Sequence, residues 1–162
     1  MARRKPPVLT EEPGHLIRRA HQLAVATFRD THGRDVTPVQ YAILRVLRER
    51  PGIDQVTLAD AVALDTSTTA DIAVRLEAKG WIHREVLARR QRSLSLTEEG
   101  ARVLDEMLPR VRPMYERLMG GLAPAEHAEL VRLLTKLVRL DPPLGKAGDD
   151  SSVTCDRAGK AL

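Results

Sequence analysis

Residues 52–100 constrain the fold of this chain more than any other stretch. Residues 55–63 have the composition of a short helix, Leu64-Asp65 breaks it, and residues 66–79 make a second helix that Gly80 stops. Two short extended pieces, 81–86 and 93–96, then flank the basic run Ala88-Arg89-Arg90-Gln91-Arg92. Helix, tight turn, helix and basic hairpin together predict a winged helix-turn-helix, a module that reads DNA.

The second helix carries most of that expectation. At 3.6 residues per turn, Thr69, Ile72, Ala73 and Leu76 share one stripe, which should face the domain core. Ser67, Thr68, Asp71, Val74, Arg75 and Ala78 fall on the opposite, small and hydroxylated face. Such a face fits a major groove, with hydroxyls for phosphates or base edges and Arg75 for a guanine. Asp65 is placed as N-cap, and Thr66, Ser67 and Thr68 leave first-turn amides open to a phosphate. The competing account is a solvated helix in which Asp71 and Arg75 form an ordinary i,i+4 pair. The hairpin favours DNA. Arg84, Arg89, Arg90 and Arg92 gather there with no acid between Val86 and Thr97, and guanidinium on a narrow loop suits the minor groove.

The string Leu76-Glu77-Ala78-Lys79-Gly80-Trp81-Ile82, then the basic wing, then Leu96-Thr97-Glu98-Glu99-Gly100, resembles the MarR family of bacterial transcriptional regulators. The resemblance spans roughly residues 15–140. It implies a dimer, mainly α with a small β-hairpin wing, in which the winged helix-turn-helix sits between N- and C-terminal dimerisation helices. The family's Asp-x-Arg wing element reads Ala88-Arg89-Arg90 here, so the arginine is kept and the aspartate is absent. The resemblance gives Arg90 a minor-groove role and puts the family's ion pair between wing and reading helix in doubt.

Composition excludes several other classes. The 162 residues suffice for one domain with a real core, and 26 Lys+Arg against 22 Asp+Glu give a net charge of +4. Aromatics at 2% are too few for the stacking platforms of single-strand or RNA binders. One cysteine, Cys155, allows no internal disulfide, and one Cys with scattered His makes a metal site improbable. No cofactor is expected. No apolar run has the length of a membrane span, and Met-Ala-Arg-Arg-Lys-Pro-Pro lacks a signal-peptide core, so a cytoplasmic protein is expected.

The chain is expected to divide into a flexible basic arm (1–13), an N-terminal dimerisation and ligand helix (14–36), the winged domain (37–96), C-terminal dimerisation helices (97–140) and a disordered tail (141–162). In the first helix, 14–31, Leu16, Ile17, Ala20, Leu23, Ala24, Thr27 and Phe28 form the stripe expected to be buried. His15, Arg18, Arg19 and His21 lie within two turns of one another, and an Arg fork matches a carboxylate's two oxygens. The resemblance implies a small aromatic acid or phenol bound between the dimerisation helices and the winged domain, with a carboxylate-binding arginine on the first helix. Either Arg18 or Arg19 can fill that role, with Tyr41 reaching the cleft from the flank of the next helix. The alternatives are solvated or phosphate-bound arginines, a packed His21 and a Tyr41 that merely packs.

Thr37-Pro38-Val39-Gln40 opens the second helix with a capping box, Asp54 or its neighbours cap the third, and Thr97 caps a long helix. Pro109 and Pro113 should bend that helix or open it locally. The last helix, 124–140, has a face of Leu130, Leu133, Leu134, Leu137 and Val138. Surplus apolar surface at both ends of the chain predicts a two-fold homodimer on a pseudo-palindromic double-stranded operator, its half-sites roughly 10 base pairs apart. The function expected is a dimeric transcriptional regulator, most often a repressor, released by an aromatic or heteroaromatic carboxylate. The alternatives are a relative that senses oxidation through Cys155, or a winged helix that binds a protein partner. No nucleophile elbow, phosphate-cradling loop or carboxylate dyad is present, so catalysis is not expected.

Overall fold

A computed structural model describes residues 8–86 and 92–138. The chain divides into two compact units, Met1–Gly121 and Leu122–Leu162.

In the first unit a 3-10 turn, Leu9–Glu11, precedes α1 (Pro13–His32) and α2 (Pro38–Glu49). A two-residue strand β1 (Ile53–Asp54) leads into α3 (Gln55–Ala61) and α4 (Thr66–Ala78). The strands β2 (Ile82–Val86) and β3 (Arg92–Leu96) follow, then the long α5 (Glu98–Leu118). The second unit contains α6 (Pro124–Leu137). The protein is thus mainly helical, with a three-stranded antiparallel sheet in the order β1-β3-β2.

Local chemistry explains where the helices begin. The Thr37 hydroxyl accepts the Gln40 amide while the Gln40 side chain accepts the Thr37 amide, closing the capping box at α2. The Asp54 carboxylate accepts the amides of Val56 and Thr57, and the Thr97 hydroxyl accepts that of Gly100. The Thr97 hydroxyl also donates to the Gly80 carbonyl at 2.6 Å, tying the start of α5 to the end of α4. Gly80 itself has φ 73°, the left-handed region in which a glycine carries no Cβ penalty.

The winged core is built around Ile43, Leu44, Leu47, Leu58, Ala73, Leu76, Ile82, Leu94 and Leu104, all fully buried. Thr69 is buried with them and donates its hydroxyl to the Asp65 carbonyl, so its polar atom is satisfied within α4. Gly100 packs against the Trp81 backbone so closely that a Cβ there would sit 1.9 Å from the Trp81 carbonyl oxygen. A second, smaller cluster joins Phe28 of α1, Val36, and Met107 and Met114 of α5.

Three expectations need correction. The sheet has a third strand, β1, because Ile53 pairs with Leu94 beside the hairpin. The stripe of α1 is buried only at Thr27 and Phe28; Leu16, Ile17, Ala20 and Leu23 are exposed, because no other element of the unit covers that part of the helix. And of the two outcomes expected of α5 at Pro109 and Pro113, a bend or a local opening, the opening is absent, since the helix is continuous from Glu98 to Leu118. Both prolines are exposed, so the carbonyls they leave without an intrahelical donor can be met by water.

Candidate nucleic-acid interface and effector cleft

The short strand after α4 decides how the reading head is assembled. Alternation along β2 buries Ile82 and turns His83 outward, so Arg84 comes back to the inner side, toward α4. There its Nε donates to Glu77 Oε2 at 2.7 Å, and its Nη2 donates to the same oxygen. The Arg84 side chain is only 17% exposed and that of Glu77 37%. This contact holds the Glu77 carboxyl below the usual range, chiefly through the guanidinium hydrogen bond. Arg84 was expected among the DNA cations. The structure gives it an internal partner, Glu77, and the period-two pattern running from Ile82 foretells that it turns inward but not which residue it meets.

On α4 the exposed face carries Thr66, Ser67, Thr68, Asp71, Val74 and Arg75, as expected from the wheel. Asp71 and Arg75 form no ion pair among the described residues, so this guanidinium stands open to solvent. The first turn differs in one respect. Asp65 accepts the Thr68 amide at 2.8 Å and also the hydroxyls of Ser67 and Thr68, at 2.5 and 2.6 Å. These donors, the Ser67 hydroxyl foremost, hold the Asp65 carboxyl far below the usual range. Ser67 and Thr68 therefore face outward with lone pairs, while their protons are committed to Asp65. The Thr66 carbonyl accepts the Gln55 side chain at 3.3 Å, which ties the turn between α3 and α4.

Arg92 starts β3, opposite Val86, and is exposed. Arg89 and Arg90 lie outside the described residues, as does Cys155.

The expected ligand residues separate in space. Arg18 is exposed and donates to Gln22 one turn on, while Arg19 and His21 are exposed and His15 is half-buried. Tyr41 alone joins an aromatic cluster. Its ring lies 5.7 Å from Phe28 and is stacked 6.3 Å from His32, and Phe28 lies 4.7 Å from His32. The Tyr41 hydroxyl accepts Arg45 Nη1 at 3.3 Å. Neither ring nitrogen of His32 reaches solvent or, among the described residues, a hydrogen-bond partner. Burial first, and the Arg110 charge second, lower its pKa from 6.5. Burial likewise raises that of Tyr115, with Tyr41 adding to the effect and Arg45 opposing it. Sequence reading passed over His32, which belongs to no motif; only its position one turn after Phe28 pointed inward.

An open α4 face, an exposed Arg92 at the root of the hairpin and a three-stranded wing define a winged-helix DNA-binding protein. The MarR family profile matches residues 36–93. The chain is 34% identical over 140 residues to the HTH-type transcriptional repressor NicR of Pseudomonas putida, covering 85% of this chain and 89% of that one. Its fold superposes on the PcaV transcriptional regulator of Streptomyces coelicolor in complex with its natural ligand. The TM-score is 0.78 and the identity 31%, covering 85% of this chain and 99% of that one. A structure of Bordetella bronchiseptica BpsR, whose DNA binding is regulated by 6-hydroxynicotinic acid, matches at TM-score 0.77 and 32% identity. That match covers 83% of this chain and 99% of that one. The chain belongs to the MarR family: it is a DNA-binding transcriptional regulator and not an enzyme. No helix among the described residues is long and apolar enough to cross a membrane.

Proposed function

We propose that this regulator is a repressor released from its operator by a small aromatic or heteroaromatic carboxylate. One observation carries the reading: a half-buried imidazole, His32, whose two nitrogens are buried without a partner among the described residues, set beside the rings of Phe28 and Tyr41. Buried polar atoms without partners are rare, and a ligand hydroxyl or carboxylate is a natural complement. Aromatic rings supply the stacking surface, and the positive charge of Arg110 stands near the imidazole. The relatives support the same class, since BpsR is regulated by 6-hydroxynicotinic acid and NicR is a repressor. His15, Arg18, Arg19 and His21 then belong to the outer part of the cleft, where a second copy can bring them toward the ligand, and Tyr41 belongs to its inner wall.

The exposed Leu16, Ile17 and Leu23 of α1, and Leu130, Leu133, Leu134 and Leu137 of α6, favour a homodimer that covers them. Two reading heads then meet successive major grooves of a pseudo-palindrome through Thr66, Ser67, Thr68, Asp71 and Arg75, with Arg89, Arg90 and Arg92 at the wing. An effector shifts DNA affinity only through a difference in its own affinity for the two head spacings.

Isothermal titration of the full chain with 4-hydroxybenzoate, 4-hydroxycinnamate and 6-hydroxynicotinate tests the cleft. At least one should bind, and Tyr41→Ala and His32→Ala should each weaken it roughly tenfold or more, as loss of a buried polar or stacking partner does. Equal binding by both variants would place the effector elsewhere.

A further inference from the structure

The corner between α1 and α2 carries a second cationic feature, apart from the reading head and beside the small cluster that Val36 shares with Phe28. Arg29, Arg34, Val36 and Thr37 line an open cleft of about 290 Å³. Neither guanidinium forms an ion pair among the described residues, and both side chains are exposed. Among the described residues no carboxylate lines the cleft with these two exposed guanidiniums, so an anion entering it meets two positive charges. The start of α2 adds no free Thr37 or Gln40 amide to the cleft, because both already donate within the capping box.

This corner is wired to the reading helix. Lys79, the C-cap of α4, donates from Nζ to the Asp35 carbonyl at 2.5 Å, and Asp35 lies between Arg34 and Val36. The same ammonium stands 4.2 Å over the ring of Trp81, the only tryptophan in the sequence. Trp81 packs against the winged core and against the smaller cluster that contains Val36. The segment that lines the cleft at Arg34 and Val36 thus also carries the carbonyl that restrains the end of α4.

We infer that Arg29 and Arg34 form a binding site for a small oxyanion, a phosphate or carboxylate head group. Occupancy is relayed through Asp35 and Lys79 to the reading helix, so the anion modulates operator affinity. Paired guanidinium forks suit such head groups, and about 290 Å³ gives room for a compact one. The site does not depend on the aromatic effector, which addresses other residues.

The probes are inorganic phosphate and succinate, each titrated into the full-length protein at constant ionic strength against chloride, with Trp81 emission and calorimetric heat recorded. One of them should give a saturating change by roughly 10 mM, a millimolar-class affinity. The response should vanish in Arg29→Gln and Arg34→Gln and persist in Arg112→Gln, which removes an exposed guanidinium paired with Glu116. In Lys79→Met the heat should remain while the Trp81 change disappears. Operator affinity should shift roughly fivefold with the active probe in the parent protein and not in Lys79→Met. No saturation by either probe, or equal saturation in the two arginine variants, overturns the site. An unaltered Trp81 and operator response in Lys79→Met overturns the relay. If Arg29→Gln and Arg34→Gln instead each lower the salt dependence of operator binding by roughly 0.9, the anion is a DNA phosphate and the small-molecule site is refuted.

Discussion

Replacing Arg84 by Gln separates two roles that a basic residue beside the wing can play. In the structure its guanidinium donates twice to Glu77 from an inner position, 17% exposed, while Glu77 is 37% exposed. A hydrogen bond to a charged group contributes about 1.5–3 kcal/mol when well buried, and partial hydration of Glu77 moves this pair to the lower end, ~1.5 kcal/mol. Loss of the pair frees β2 from α4, so the wing is no longer held at its angle to the reading helix. If that energy is drawn from DNA binding when the wing is re-ordered, operator affinity falls roughly tenfold. Fluorescence anisotropy on a duplex from upstream of the protein's own gene, at several salt concentrations, reads both affinity and its salt slope. A positioning role predicts the tenfold loss with the slope unchanged, a matching loss in Glu77→Gln, and little further loss in the double variant. A phosphate contact predicts a slope smaller by roughly 0.9 and a Glu77→Gln variant that binds as well as the parent or better. The second pattern refutes the internal brace.

Other variants test the frame around the site. Gly100→Ala puts a methyl against the Trp81 carbonyl, so it should cost about 2–3 kcal/mol in urea denaturation through forced backbone movement. Thr97→Ala removes the α5 cap and the bond to the Gly80 carbonyl, and should cost about 1–2 kcal/mol in the same assay. His32 has a folded-state pKa below its ordinary 6.5, so the unfolded chain binds a proton more readily. Stability should be full above pH 6.5 and decline as the pH falls toward the folded-state value, and His32→Gln should flatten that decline. Sedimentation equilibrium should give a dimer at micromolar concentration; a monomer would remove the two-headed reading.

What was legible in the sequence was what short-range chemistry decides. Thr37 with Gln40, Asp54, Asp65 and Thr97 each cap the helix they precede, because a cap needs only its own next three residues. The stripe of Thr69, Ala73 and Leu76 is buried for the same local reason. Pairings across elements were not legible. Arg84 meets Glu77 from another element, and Arg48 meets Asp105 across 57 positions, so no spacing rule announces either. His32 acquires its surroundings from rings on two helices and a charge on a third. The hydroxyls of Ser67 and Thr68 were read as open donors, whereas Asp65 holds both. The exposed part of α1 shows the converse, an apolar stripe that no element of the first unit covers.

The central claim is release of DNA by an aromatic acid, and anisotropy of the preformed protein–operator complex tests it directly. The complex would be titrated with 4-hydroxybenzoate, 4-hydroxycinnamate and 6-hydroxynicotinate, with a scrambled duplex as control. The account predicts site-selective binding that at least one acid abolishes in the parent protein, and that persists at the same acid concentration in Tyr41→Ala. Selective binding that none of the acids disturbs would contradict it.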